Sequence, residues 1–332
     1  MEIRQSCRIH LLAYYHIRTL SYYICPSMPT NILVIYYSQT GQLKNIIDHV
    51  FSSTHSCNID YCEIKPVKKF PFPWTSATFF DCMPECVKQI PEEIEPLVFP
   101  DKKYDVVILG YQPWFLSPSI PINSFLQSKY AEILNGKEVI TIIGSRNMWL
   151  HAQEKVKEAL IKQGAKLRGN IVFFDRNPNL ISILTVIRWS FKGIKEATRY
   201  LPEAGVQQRD IELANRFGSI ILKAIEGNKL DDLHKNLLNE KSVELSPALV
   251  ILEKRGIANF RKFSKYILAK GNRGDAQRQA RVKLFSKLLI IGVFILSPIS
   301  SLTAKIKVML NKKSLEAEVD YFKNITFKIK AI

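Results

Sequence analysis

The chain is 332 residues long, 47% hydrophobic and 23% charged, a balance that excludes a disordered polypeptide, a collagen-like fibre and a disulfide-stapled miniprotein. Forty-seven Lys and Arg against thirty Asp and Glu give a net charge of +17, which favours an anionic partner: nucleic acid, acidic lipid headgroups or a phosphorylated ligand. Six cysteines without C-x-x-C spacing point to a reduced, cytoplasmic setting.

Residues 1–27 scatter Arg4, Arg8, His10, His16 and Arg18 among apolar residues and lead to no small-residue cleavage site, so they make a poor signal peptide. Regular patterning begins only after Met28-Pro29, which makes Met28 a candidate true start and residues 1–27 a non-conforming extension. From there short apolar runs alternate with helical spacing, as an α/β fold with a parallel sheet requires. Strands are expected at residues 31–37, 58–64, 104–109, 138–143 and 166–174. Helices are expected at 43–51, at 151–163 with Gly164 closing it, and at about 207–225 before Gly227-Asn228. Five strands with their helices in about 200 residues is the count of a flavodoxin-like doubly wound domain, here spanning residues 28–228.

Two segments exceed that unit. Residues 65–100 are rich in proline and aromatics (Phe70-Pro71-Phe72-Pro73-Trp74, then Phe79-Phe80), and connections this long usually serve as lids or binding loops. Residues 177–201 include the apolar run 180–189 and Phe191, a second candidate pocket wall. Cys82 and Cys86 lie four apart with His49 and His55 upstream, but clean pairs at metal-ligand spacing are missing and no metal site is expected.

Composition changes after Gly227. Residues 253–287 hold eleven Lys and Arg against Glu253 and Asp275, then run into the apolar stretch 288–302, which is too short and too interrupted by Pro298 to span a bilayer. Residues 229–332 therefore read as a helical, basic and apolar extension. Shallow insertion into an anionic membrane, on its inner face, is the preferred expectation, with packing on the α/β domain as the alternative. Nucleic acid is not expected, because no recognition motif accompanies the basic residues.

The most specific local signal is Tyr37-Ser38-Gln39-Thr40-Gly41-Gln42, where the first strand turns into the first helix. Backbone N–H groups at a helix N-terminus, with the hydroxyls of Ser38 and Thr40, can bind a phosphate monoester without a lysine. A nucleoside-triphosphate P-loop and a dinucleotide fingerprint are excluded, since neither G-x-x-x-x-G-K-[ST] nor G-x-G-x-x-G is present. The string resembles the loop of flavodoxin-like proteins that holds the phosphate of FMN, with Leu43 where that pattern has its last hydroxyl. Gly110-Tyr111-Gln112-Pro113-Trp114-Phe115 and Gly144-Ser145-Arg146-Asn147-Met148-Trp149 leave the third and fourth strands toward the same crevice. They resemble the loops that hold the isoalloxazine ring in that family. Gly110 to Phe115, Gly144 to Asn147 and Trp149 are thus candidate cofactor contacts.

Across most of residues 28–225 the chain resembles one bacterial family: the flavodoxin-like protein encoded beside a ketosynthase in dialkylresorcinol and flexirubin-type pigment pathways, commonly labelled a dialkylresorcinol condensing enzyme. The similar features are N-I-L-V-I-Y-Y-S-Q-T-G-Q, P-F-P-W at 71–74 followed by Phe79-Phe80-Asp81, and the G-Y-Q-P-W-F and G-S-R-N-M-W loops. The resemblance implies FMN, a lipophilic small-molecule substrate, a ketosynthase partner and participation in making a 2,5-dialkylresorcinol. Condensation itself needs an activated cysteine, and none sits at a strand-to-helix turn. FMN-dependent oxidative aromatisation of a dialkylcyclohexane-1,3-dione is the expected step. His151, opening the helix after the fourth strand, is the candidate base. Tyr111 is the candidate to polarise a carbonyl and Arg146 to stabilise the enolate. An NAD(P)H-dependent quinone or flavin oxidoreductase, a one-electron carrier and a non-catalytic ketosynthase partner remain open beside this reading.

Overall fold

The computed structural model describes residues 29–54, 57–296 and 312–328, with single positions between 303 and 309; the N-terminal extension and most of 297–311 lie outside the described residues. Five strands, β1 (Thr30–Tyr36), β2 (Cys57–Glu63), β3 (Val106–Tyr111), β4 (Glu138–Ser145) and β5 (Lys166–Phe174), form one parallel sheet in the order β2-β1-β3-β4-β5. This is the flavodoxin-like doubly wound topology, which opens a crevice beyond the carboxyl ends of β1 and β3. The central strands are buried on both faces, because their near-continuous Val, Ile and Leu runs have helices on either side.

The helices are α1 (Gln42–Val50), α2 (Ser76–Asp81), α3 (Met83–Lys88), α4 (Ile120–Gln127), α5 (Leu150–Lys162), α6 (Asn179–Lys192), α7 (Gln208–Glu212), α8 (Asn215–Glu226), α9 (Leu233–Asn239), α10 (Pro247–Leu268), α11 (Gln279–Ile291) and α12 (Lys312–Lys323). Helices α1, α7, α8 and α9 cover one face of the sheet through Ile46, Ile211, Phe217 and Leu237; α4 and α5 cover the other through Phe125 and Val156. The single helix expected over 207–225 is broken at Leu213, where ψ is 2°, and the break lets Ile211 and Phe217 both reach the core.

The residues after 228, expected as an extension, share the domain's cores. Leu233 and Leu237 join the α1 side, while Val243, Val250, Val319 and Phe322 join the α5 side. The proline-rich segment 65–100 is likewise no free lid, because its helices α2 and α3 pack against α10 and α11. Arg278 fixes that contact. Its Nε lies 2.7 Å from Asp81 Oδ1, and its terminal nitrogens lie 2.6 and 3.1 Å from the two Glu85 carboxylate oxygens, all buried. Asp81 also accepts from the Gly274 N–H at 2.8 Å. Burial alone would pull the Arg278 pKa down, but the hydrogen bonds and charges of Glu85 and Asp81 outweigh it and hold the guanidinium above its ordinary value.

Candidate functional site

The turn after β1 is built to face the crevice. Gly41 takes φ 79°, a left-handed conformation that a β-carbon would strain, with open space where that carbon would stand. The Ser38 hydroxyl accepts from the Lys44 N–H at 3.4 Å and the Thr40 hydroxyl from the Gln42 N–H at 3.5 Å. Both cap the first turn of α1, and each keeps its own proton to donate. The two glutamines of the loop use their side chains as tethers. Gln39 Nε2 donates to the Phe70 and Pro71 carbonyls at 3.2 and 3.0 Å. Gln42 makes a two-way pair with Val206, donating to its carbonyl at 3.0 Å and accepting from its N–H at 3.1 Å. These bonds bring segment 65–100 and the chain around Gly205 to the two sides of the crevice. Gly205, at φ 83°, has no room for a side chain, since a β-carbon would stand 2.6 Å from Gln42 Oε1 and 2.8 Å from the Trp189 ring.

The resulting crevice has a volume of about 220 Å³. Gln39, Thr40 and Gln42 form its loop side, Gln112 to Phe115 a second wall, and Gly144, Ser145 and Arg146 a third. Aromatic rings close it: Trp114 lies edge-on to Trp74 at 5.3 Å between centroids, Phe79 tilts against Phe115 at 4.9 Å, and Phe72 meets Trp189 edge-on at 6.3 Å. The Trp74 N–H donates to the Ser190 carbonyl at 2.8 Å, which joins segment 65–100 to α6. Sequence reasoning named segments 65–100 and 177–201 as pocket walls without naming Trp74, Val186, Trp189 or Ser190 as lining residues. The signal for them was the aromatic density of those segments.

Arg146 is half-buried, and Nη1 donates to Asn179 Oδ1 at 2.8 Å. Desolvation draws its pKa down to about 10, against the opposing pull of the Asp175 carboxylate. It is still a cation at neutral pH. The Ser145 Oγ is buried and has no hydrogen-bond partner among the described residues, an arrangement a bound acceptor would satisfy.

Arg146, Phe79, Val186 and Ser190 also line a second cavity of about 530 Å³, otherwise apolar except for Ser76 and walled by α6, α2, α11 and the segment after it. Among the described residues lining the two cavities, Arg146 is the sole ionisable one. A cation therefore stands where an aromatic crevice meets an apolar chamber.

Several expected site residues lie elsewhere. Tyr111 points to the opposite face of β3 from Gly110, is fully buried among Leu109, Ile143 and Val156, and donates its hydroxyl to Gln153 Oε1 at 2.6 Å. Burial holds its hydroxyl well above the ordinary tyrosine pKa. It does not line the crevice. His151 is 3% exposed, with its N–H 2.7 Å and its Nδ1 3.2 Å from the same Glu253 oxygen. A glutamate one hundred residues downstream thus occupies that helix start. Gly110 is a packing position, where a β-carbon would stand 2.5 Å from Ile47 Cδ1. Trp149 belongs to the core at 1% exposure, and it lines a separate cavity with Asn147 beside Asp175. Ser38 and Gly41 shape the loop without lining the crevice.

Among the described residues no cluster of His, Cys, Asp and Glu could hold a metal ion, and no helix is long and apolar enough to cross a membrane. The donor set does fit FMN. Thr40, Ser145 and Arg146 suit a phosphate and the polar edge of the ring, and Trp114, Phe115 and Trp189 suit its faces. At about 220 Å³ the crevice is tighter than the ~300 Å³ low end of ligand clefts.

No family model and no curated protein matches the chain. Solved structures do. A flavoprotein from Lactobacillus acidophilus NCFM, crystallised in complex with FMN, is 19% identical over 43% of this chain and 93% of its own, with a TM-score of 0.35. A flavoprotein from Bacteroides eggerthii DSM 20697 is 21% identical over 45% of this chain and 90% of its own, at 0.34. One from Bacteroides uniformis ATCC 8492 is 17% identical over 45% and 92%, also at 0.34. The likeness is confined to fold.

Proposed function

We propose that this chain is an FMN-dependent oxidoreductase acting on a lipophilic, acidic carbonyl compound, and specifically that it aromatises a dialkylcyclohexane-1,3-dione to a dialkylresorcinol. The observation that carries this reading is Arg146, the sole ionisable residue among the described residues lining the aromatic crevice and the apolar chamber beside it. Conversion of the dione ring to a resorcinol removes two electrons and two protons. Bound FMN would supply the two-electron acceptor.

The residues of the chain account for the rest. The proton between the carbonyls of a cyclic 1,3-dione leaves into water near neutral pH, so the substrate arrives largely as its enolate. The second ring proton, lost beside a carbonyl as hydride leaves the adjacent carbon, would pass to solvent at the chamber mouth, because no carboxylate or imidazole is among the described residues lining the two cavities. Arg146, charged below about pH 10, would hold the enolate oxygen and favour the developing phenolate. Its bond to Asn179 fixes the guanidinium plane. The alkyl chains would lie in the neighbouring chamber against Ile183, Ile187 and Phe191. The rings of Trp114, Phe79 and Trp189 would exclude water and keep the reacting ring flat against the crevice wall.

The test has two stages. Purified protein titrated with FMN should turn yellow and quench flavin fluorescence; a well-folded protein that stays colourless would remove the redox reading. Anaerobic mixing of the loaded protein with a dialkylcyclohexanedione should bleach the flavin and yield resorcinol. Rapid bleaching by NADPH without any reaction of the dione would instead mark an NAD(P)H-dependent quinone oxidoreductase.

A further inference from the structure

We infer that the outer faces of α6 and α11 form a docking surface for an anionic lipid bilayer, through which a lipophilic ligand reaches the apolar chamber. This rests in part on the substrate class proposed above, but the surface itself stands on separate observations.

Helix α11 is apolar on two faces. Val282 and Phe285 are buried, with Phe285 edge-on to Phe80 and Phe260 at 6.0 and 5.9 Å. On the other side Leu284, Leu288 and Ile291 follow one another at helical spacing with exposures of 44, 43 and 47%, and Ile295 continues the row at 61%. A helix that is hydrophobic on both sides is ordinarily covered on both. Helix α6 repeats the pattern with Leu180, Leu184 and Ile187, each about two-fifths exposed. The chamber opens between these helices, because Leu184, Ile187, Ile290 and Phe294 line it and are also exposed. A contiguous apolar patch at a cavity mouth marks an interaction surface.

Charge selects the occupant. Helix α6 carries Arg188 and Lys192, α11 carries Arg281, Lys283 and Lys287, and neither contains an Asp or Glu. From Ala276 to Leu315 the sequence has no acidic residue at all. Exposed aliphatic rows interleaved with unopposed cations match an anionic headgroup layer over hydrocarbon. A protein partner would more commonly meet a mixed-charge rim.

Vesicle flotation of the full-length protein tests this. Wild type should float with vesicles containing phosphatidylglycerol and stay behind with phosphatidylcholine alone. The double variant Lys283→Gln/Lys287→Gln should weaken partition about fivefold per lysine. Leu288→Ser/Ile291→Ser should weaken it about tenfold. Both should keep the wild-type melting temperature without vesicles, since the four positions are exposed. Absence of flotation, or flotation indifferent to both variants, overturns the inference. So does a concentration-dependent dimer in sedimentation velocity that the serine variant abolishes while lipid has no effect, which would make a second copy of this chain the occupant. Protein that floats but takes up no FMN would remove the redox reading and leave the docking surface; protein that binds FMN but does not float would do the reverse.

Discussion

Arg278 is fully buried and Arg146 half-buried, and their surroundings differ in kind. Arg278, between α10 and α11, is met by two carboxylates on α2 and α3, and its charge is held above the ordinary arginine range. Arg146, at the end of β4, donates to the Asn179 side-chain amide and has no carboxylate bonded to it among the described residues, and its pKa is drawn down to about 10. The contrast separates a charge used up in fixing the fold from one left available to a ligand. A guanidinium whose hydrogen bonds are already spent on the chain has little left for a substrate. One that is desolvated and only partly satisfied gains when an anion arrives.

The largest effect is expected at Arg278. Arg278→Ala strands two buried carboxylates, and urea unfolding should show a loss of about 3–5 kcal/mol. Arg146→Met should do the opposite on both counts. Its melting temperature should stay level or rise, because a destabilised charge is removed. Its kcat/KM for the dione should fall about 10²- to 10³-fold, the usual effect of deleting a group that stabilises an oxyanion. An Arg146 variant with a lowered melting temperature and unchanged turnover would erase the distinction between the two arginines.

Lys155 sharpens it. This buried ammonium donates to the Val87 carbonyl at 2.7 Å and the Ser117 hydroxyl at 2.9 Å, and burial lowers its pKa to about 8, with Cys86 opposing. Because the folded state gives up the proton before the unfolded state does, stability should rise with pH between about 8 and 10.5. Relative to Lys155→Met, wild type should gain about 1–2 kcal/mol between pH 8 and 9.5, measured by denaturation at each pH. The smallest effect belongs to Tyr111→Phe, which deletes a buried hydroxyl bonded to Gln153. It should cost about 1 kcal/mol of stability and leave the flavin spectrum and turnover unchanged. Altered turnover would return Tyr111 to the site.

Much of this was legible beforehand, and the reasons are local. The strand runs at 31–37, 138–143 and 166–174 are long enough in Val, Ile and Phe to declare themselves, and the observed β1, β4 and β5 follow them within two residues. Strand β3 begins two residues later than expected, where pairing with β1 starts at Val106, and Tyr104 just before it donates its hydroxyl to Asp60. Thr40, Gln112, Trp114, Ser145 and Arg146 do line one crevice, since loops after adjacent parallel strands must meet. Tyr111 and His151 were not readable as core residues. Strand phase put the first on the far face of the sheet, and the second was captured by Glu253, a partner that no local pattern around residue 151 announces.

The sequence alone determined the parallel sheet, the turn at Ser38 to Gln42 and the basic, greasy character of the C-terminal third, because periodicity, glycine placement and composition are properties of neighbouring residues. Tertiary structure alone decided that segment 65–100 and the C-terminal helices lock together through Asp81, Glu85 and Arg278, and that Arg146 stands at the junction of two cavities. Those outcomes depend on which distant charges meet where water is excluded, and desolvation is fixed by the packed whole rather than by any stretch of chain.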